Sequence, residues 1–223
     1  MSGAADPRVE RAIPVTLYLV RHGEAVGAEG RCIGHTDLPL ASGARVALAR
    51  LAAEWPSPRP PRIVSSDLVR AQASAAVLAE AWGMARPIPI DVRLREMDFG
   101  AWDGRLWAQL ERDDAAAFGA WMADWQDARA PGGEGFGDVI VRAAGWLHEA
   151  ITTARAEGVT EIVALAHAGS IRALLVEVLG LPRRRGFQLR VDHARVSALR
   201  IGGGPLAEAC AGAELLFLNT ARV

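Results

Sequence analysis

Two histidines in this chain directly follow apolar runs, and two arginines and a carboxylate stand where they could share a ligand with them. Arg21 and His22 close the run Val15 to Val20, and His167 closes Glu161-Ile-Val-Ala-Leu-Ala166. A histidine at the end of a strand can act as nucleophile, proton shuttle or metal ligand. Arg70 falls in the first turn of a helix expected from about Leu68 to Trp82. The helix dipole disfavours a cation there unless an anion is bound beside it. Guanidinium forks match phosphate oxygens two at a time, so Arg21 and Arg70 could grip separate edges of one phosphoryl group. Two arginines and two histidines at the ends of three neighbouring strands describe a phosphate pocket that needs no metal.

If neutral His22 attacks phosphorus, its other ring nitrogen must be held, and a backbone carbonyl in the Gly23 turn suits that role. Arg21, Arg70 and a protonated His167 would stabilise the charge on the equatorial oxygens. The leaving alkoxide also needs a proton. Glu96 is the carboxyl best placed by type, in a turn-rich loop, and Asp98 competes with it. Beside a bound anion a carboxyl keeps its proton more readily. Ile33 and Gly34 offer backbone to the pocket. His35 reads as a surface residue among glycines, and His148 and His193 as solvated. A zinc set drawn from His22, His35, His167 and a carboxylate lacks the short ligand spacing of structural zinc sites. Trp121 and Trp125 read as core or cap packing, and Glu134 as a favourable charge at the start of the next helix.

The elements that must position these residues follow from the apolar pattern. Val15 to Val20 suits a strand buried on both faces, with ligands beyond its carboxyl end. The glycine-rich segment 24 to 41 is long for a strand-to-helix connection and reads as a binding loop. Leu48, Leu51, Ala52 and Trp55 mark a helix from about Ser42 to Trp55. Ile63 and Val64 form a short strand, and Ser65-Ser66-Asp67 supplies N-cap chemistry for the Arg70 helix. A third strand is expected around Ile88 to Val92, then a tight loop from Asp98 to Gly104. The stretch Leu106 to Trp125 forms one helix, or two with a break near Asp113-Asp114. After the turn Pro131-Gly-Gly-Glu-Gly135, a long helix presents Phe136, Val139, Ile140, Ala143, Leu147, Ala150 and Ile151 on one face. The His167 strand leads into a helix bearing Ile171, Leu174, Leu175 and Val178. Gln188 to Val191, Ser197 to Ile201 and Leu215 to Leu218 are candidate strands, antiparallel additions at the sheet edge.

The chain of 223 residues can bury a sizeable core as one α/β unit. Residues 1–14 read as a loose leader and 15–223 as a single domain, with 105–130 as a helical cap insertion. Twenty-five basic residues against twenty-six acidic ones leave no electrostatic footprint for nucleic acid or an anionic membrane. Every one of the basic residues is arginine, which removes lysine from any mechanism. Cys32 and Cys210 have no metal-like spacing. With no charged-then-apolar leader before Thr16 and no membrane-length apolar run, a cytoplasmic protein is expected.

Leu19-Val-Arg21-His22-Gly23-Glu24 resembles the signature of the histidine phosphatase superfamily, which includes the cofactor-dependent phosphoglycerate mutases. Further matches follow in order at Gly34-His-Thr-Asp37-Leu-Pro-Leu40, Ser65-Ser-Asp-Leu-Val-Arg70-Ala71, Leu94-Arg-Glu96-Met-Asp98-Phe-Gly100-Ala-Trp102-Asp-Gly104, Pro131-Gly-Gly-Glu134 and Ala166-His167-Ala168-Gly169. The resemblance implies a three-layer α/β/α sandwich of the phosphoglycerate mutase-like kind, with a mostly parallel sheet and an antiparallel edge. It implies a phosphohistidine on His22, phosphate binding by Arg21, Arg70 and His167 with Ala168 and Gly169 beside them, proton donation by Glu96, and neither metal nor cofactor. The segments from Asp98 and from His167 look most like the phosphatase branch typified by α-ribazole phosphatase. The implied ligand is a small phosphorylated metabolite or inorganic phosphate; a homodimer is left open. Many members carry an asparagine shortly after the nucleophile, where Ala25-Val-Gly-Ala28 offers no side-chain amide. Mutase-type phosphoryl transfer and a catalytically silent phosphate-binding module are the alternatives to hydrolysis.

Overall fold

The computed structural model describes residues 13–55, 61–84, 87–204, 210 and 212–223. Five strands form one sheet in the order β2-β3-β1-β4-β5. At its centre, β1 (Val15–Arg21) pairs in parallel with β3 (Glu161–Ala166), setting Arg21 opposite Ala166. β3 in turn pairs in parallel with β2 (Arg62–Ser65). On the other side β4 (Val196–Ile201) runs antiparallel to β1, and β5 (Glu214–Thr220) antiparallel to β4. The carboxyl ends of three strands and the start of β4 therefore meet along one edge of the sheet.

Side chains alternate across a strand, and in β1 both sets are covered. Leu17 and Leu19 pack with Ile162 and Ala164 into a core shared with α5 (Phe136–Ala156) and α6 (Ala168–Val178). Tyr18 and Val20 pack with Val163 and Leu165 against Leu48 and Leu51 of α1 (Ser42–Ala53) and Ala75 and Leu78 of α2 (Val69–Ala81). This produces the expected three layers. The stretch after Leu106 divides into α3 (Trp107–Asp113) and α4 (Ala115–Ala123), with Asp114 as the break. Asp114 accepts a hydrogen bond from the buried Trp102 indole N–H at 2.6 Å, so the break anchors an aromatic cluster. That cluster runs through Phe99, Trp107, Phe118 and Trp121 to Phe187, with Trp125 4.1 Å from the Phe187 ring. Among the described residues no helix is long and apolar enough to cross a membrane.

Three local expectations are corrected. Ile88 to Val92 forms no strand: it makes a single bridge, Ile90 to Ser65, because Pro87 and Pro89 lack the N–H groups a ladder needs. Asp91 then caps a 3₁₀ turn, accepting from Arg93 N–H at 2.9 Å. Gln188 to Val191 is also not a strand, since side chains hold its carbonyls: Arg172 Nε donates to Leu189 O at 3.1 Å and Arg21 to Val191 O at 2.7 Å. The start of α2 is capped from a distance, with Asp37 accepting from Val69 N–H at 2.7 Å, while Asp67 pairs with Arg95. The 1–14 leader lies outside the described residues except for 13 and 14.

Candidate active site

The sheet edge where β1, β2 and β3 end gathers His22, His167 and Arg70 in a buried pocket. His22 is 5% exposed, and Arg70 and His167 are 1% and 0% exposed. The His22 and His167 rings lie 4.8 Å apart between centroids. His22 Nδ1 lies 2.6 Å from Gly23 O, and because a carbonyl only accepts, Nδ1 must carry the proton. Nε2 is then left with its lone pair, approached by Arg70 Nε–H at 3.3 Å. Burial, then Arg70 and Arg21, hold the His22 pKa well below 6.5.

Arg70 is fixed by the loop that follows β1. Its two terminal nitrogens donate to Thr36 O at 2.8 Å and Gly34 O at 2.6 Å. That loop is held by one carboxylate, Asp103, which accepts from Gly34 N–H at 2.9 Å, His35 N–H at 2.6 Å, Thr36 N–H at 2.9 Å and the Thr36 hydroxyl at 2.8 Å. Gly34 thus serves Arg70 through its carbonyl, and Ile33 stands half-buried before it. Asp103 lies within the matched segment Leu94 to Gly104, but no role could be read for it, because its partners, three backbone N–H groups and the Thr36 hydroxyl, stand nearly seventy residues away.

Glu96 is 8% exposed, and its Oε1 accepts from Met97 N–H at 2.9 Å and Gly169 N–H at 2.8 Å. A Cβ at Gly169 would collide with that oxygen, so glycine is required for the first turn of α6 to approach the carboxylate. Gly169 therefore directs its N–H to Glu96. Arg142 of α5 holds the chain around Glu96, donating to Arg93 O at 2.6 Å, Arg95 O at 2.8 Å and Glu96 O at 2.9 Å. It also pairs with Glu134 at 2.8 Å, and Glu134 accepts from Asp98 N–H at 3.0 Å. Glu134 is thus a clamp on the Glu96 loop instead of the helix-start charge expected. Asp98 turns its carboxylate to Gly100 N–H at 2.8 Å, with His35 Nδ1 3.8 Å away. His35 is partly anchored as well, with Nε2 2.9 Å from Glu96 O.

Arg21, buried Nε included, and both ring nitrogens of His167 offer polar atoms to the pocket; Arg21 Nε and the His167 nitrogens have no partner among the described residues. The protonated His167 expected from sequence is disfavoured: burial, then His22, Arg70 and Arg21, hold its pKa well below 6.5. Burial also lowers the pKa of Arg21, Arg70 and Arg172, with Glu96 the first opposing charge in each case. The expected solvation of His193 is incorrect. Its ring lies 5.2 Å from that of His22, half-buried, with a pKa lowered to about 4 by burial and then by Arg21. His148 is exposed on α5. Among the described residues no group of three or more His, Cys, Asp and Glu could hold a metal ion.

A profile of the histidine phosphatase superfamily (branch 1) matches residues 17–209. The chain belongs to the histidine phosphatase superfamily. It is 38% identical over 173 residues to a glucosyl-3-phosphoglycerate phosphatase from Mycolicibacterium vanbaalenii, covering 74% of this chain and 75% of that one. The alpha-ribazole phosphatase of Shigella flexneri superposes with a TM-score of 0.81 at 27% identity, over 94% of this chain and 98% of the other. A mycobacterial glucosyl-3-phosphoglycerate phosphatase in complex with inorganic phosphate superposes at 0.78 and 30% identity, over 94% and 99%. Both solved relatives bear out the phosphoglycerate mutase-like fold class expected for this member of the superfamily.

Proposed function

We propose that this histidine phosphatase hydrolyses a phosphomonoester of a small metabolite through a phosphohistidine on His22. The observation that carries the reading is the Nδ1–H to Gly23 O contact of 2.6 Å, which leaves the Nε2 lone pair facing the arginines. In the first step Nε2 forms a bond to phosphorus as the ester oxygen leaves in line. Arg21 and the remaining hydrogens of Arg70 hold the equatorial oxygens, and His167 donates from a neutral ring. A bound phosphoryl dianion offsets the guanidinium charge and raises the proton affinity of both imidazoles.

Glu96 protonates the leaving oxygen from Oε2, since Oε1 is occupied by two N–H groups. The resulting carboxylate then takes a proton from the water that attacks the phosphohistidine, which returns phosphate and restores His22. Residues 15–223 act as one domain, with 105–130 as its cap. The free thiols Cys32 and Cys210 support a reducing, cytoplasmic setting.

The substrates after which the relatives are named, glucosyl-3-phosphoglycerate and α-ribazole phosphate, are the first to assay, together with p-nitrophenyl phosphate. Phosphate release should occur with EDTA present and without bisphosphoglycerate. His22→Ala should lose at least about a thousandfold, the scale of removing a covalent nucleophile. Full activity in that variant would remove His22 from the chemistry.

A further inference from the structure

We propose that His193 contacts the substrate, its ring N–H holding a phosphoryl oxygen on the flank of His22 bordered by β4. His167 and His193 reach His22 from the two strands that flank β1, at 4.8 Å and 5.2 Å between ring centroids. The backbone around His193 is built to hold it there. Ala194 has φ 52°, a left-handed conformation rare for a residue with a side chain. Its N–H donates to Arg21 O at 3.1 Å and His22 O at 3.3 Å. Asp192 N–H donates to Asn219 Oδ1 at 2.7 Å, and Asn219 is itself held at φ 56°. Such strain persists only where the surroundings over-determine it, and it collects at ligand sites.

The pocket also has a use for this ring. Arg70 already gives hydrogen bonds from both terminal nitrogens to Gly34 and Thr36, and Ala25-Val-Gly-Ala28 brings no polar side chain. His193 makes no side-chain hydrogen bond among the described residues, although it sits within the pocket wall. With its pKa lowered to about 4, the ring is neutral at pH 7 and offers one N–H without adding charge.

That the ligand is a phosphoryl group rests on the phosphatase reading, so the test uses inorganic phosphate itself. Its binding is measured by calorimetry for wild type, His193→Ala and His193→Asn, with p-nitrophenyl phosphate kinetics alongside. His193→Ala should weaken phosphate roughly tenfold, the size of one lost hydrogen bond, and raise KM more than it lowers kcat. His193→Asn keeps a neutral N–H donor and should recover most of the loss. Unchanged phosphate binding in the alanine variant would overturn the proposal, as would equal weakening in two variants that remain folded. A wild type that binds phosphate without hydrolysing any ester would sink the phosphatase reading, while the calorimetric comparison would still decide His193.

Discussion

Three imidazoles, His22, His167 and His193, are held neutral by burial and by the guanidiniums near them. Neutrality is what the chemistry needs, because a protonated His22 has no lone pair for phosphorus. It also makes stability depend on pH in a fixed direction. Each ring has a folded-state pKa below the ordinary 6.5, reaching about 4 for His193, so between those values the unfolded chain binds more protons. Their contribution is complete above pH 6.5 and is lost as pH falls towards 4. The melting temperature should drop steadily from pH 7 to pH 5, and saturating phosphate should reduce the drop; a flat profile would show that the rings titrate normally. Arg21, His22 and His167 were legible as candidates because each directly follows the end of an apolar run. His193 was not, because β4 runs against β1 and delivers to the pocket a residue that precedes its strand. Asp103 and Arg142 escaped for another reason: most of their partners are backbone groups remote in sequence, which leave no local pattern, and Glu134, the nearer partner of Arg142, was read as a helix-start charge.

At the level of elements, two supports hold the two halves of the pocket. Asp103 fixes the 34–36 loop, whose carbonyls fix Arg70. The Arg142–Glu134 pair, with side chains 18% and 23% exposed, fixes the chain on both sides of Glu96. Removing Arg142 would leave Glu134 and three carbonyls without their partner, at a cost of about 3 kcal/mol. Arg142→Ala should slow alkyl phosphates, which need a proton on the leaving oxygen, by a larger factor than p-nitrophenyl phosphate, which scarcely needs one. Parallel rate profiles for the two esters, or equal losses on both, would separate Arg142 from proton donation. The strands, α1, α5 and α6 were readable from apolar runs and periodicity, whereas α2 was expected from the capping chemistry of Ser65-Ser66-Asp67, a role that Asp37 takes instead. The failures at 88–92 and 188–191 share a cause: apolar residues were present, but prolines or side-chain partners took the place of a ladder.

Across the whole molecule the formal charge is -1, yet Arg21, Arg70 and Arg172 converge on one buried corner with Glu96 as their shared counter-charge. Attraction for a phosphoester is therefore local, and salt should weaken it less than it weakens exposed charge pairs. The fold supplies this corner by topology: three parallel strands end there, and the antiparallel pair closes its far side. The central claim is that the phosphoryl group passes through His22 on its way to water. Two in-line displacements restore the original handedness at phosphorus, whereas direct attack by water inverts it. Turnover of an oxygen-labelled chiral phosphorothioate monoester by the wild-type protein, in water carrying the third oxygen isotope, should therefore give chiral thiophosphate with retained configuration, and inversion would contradict the covalent route.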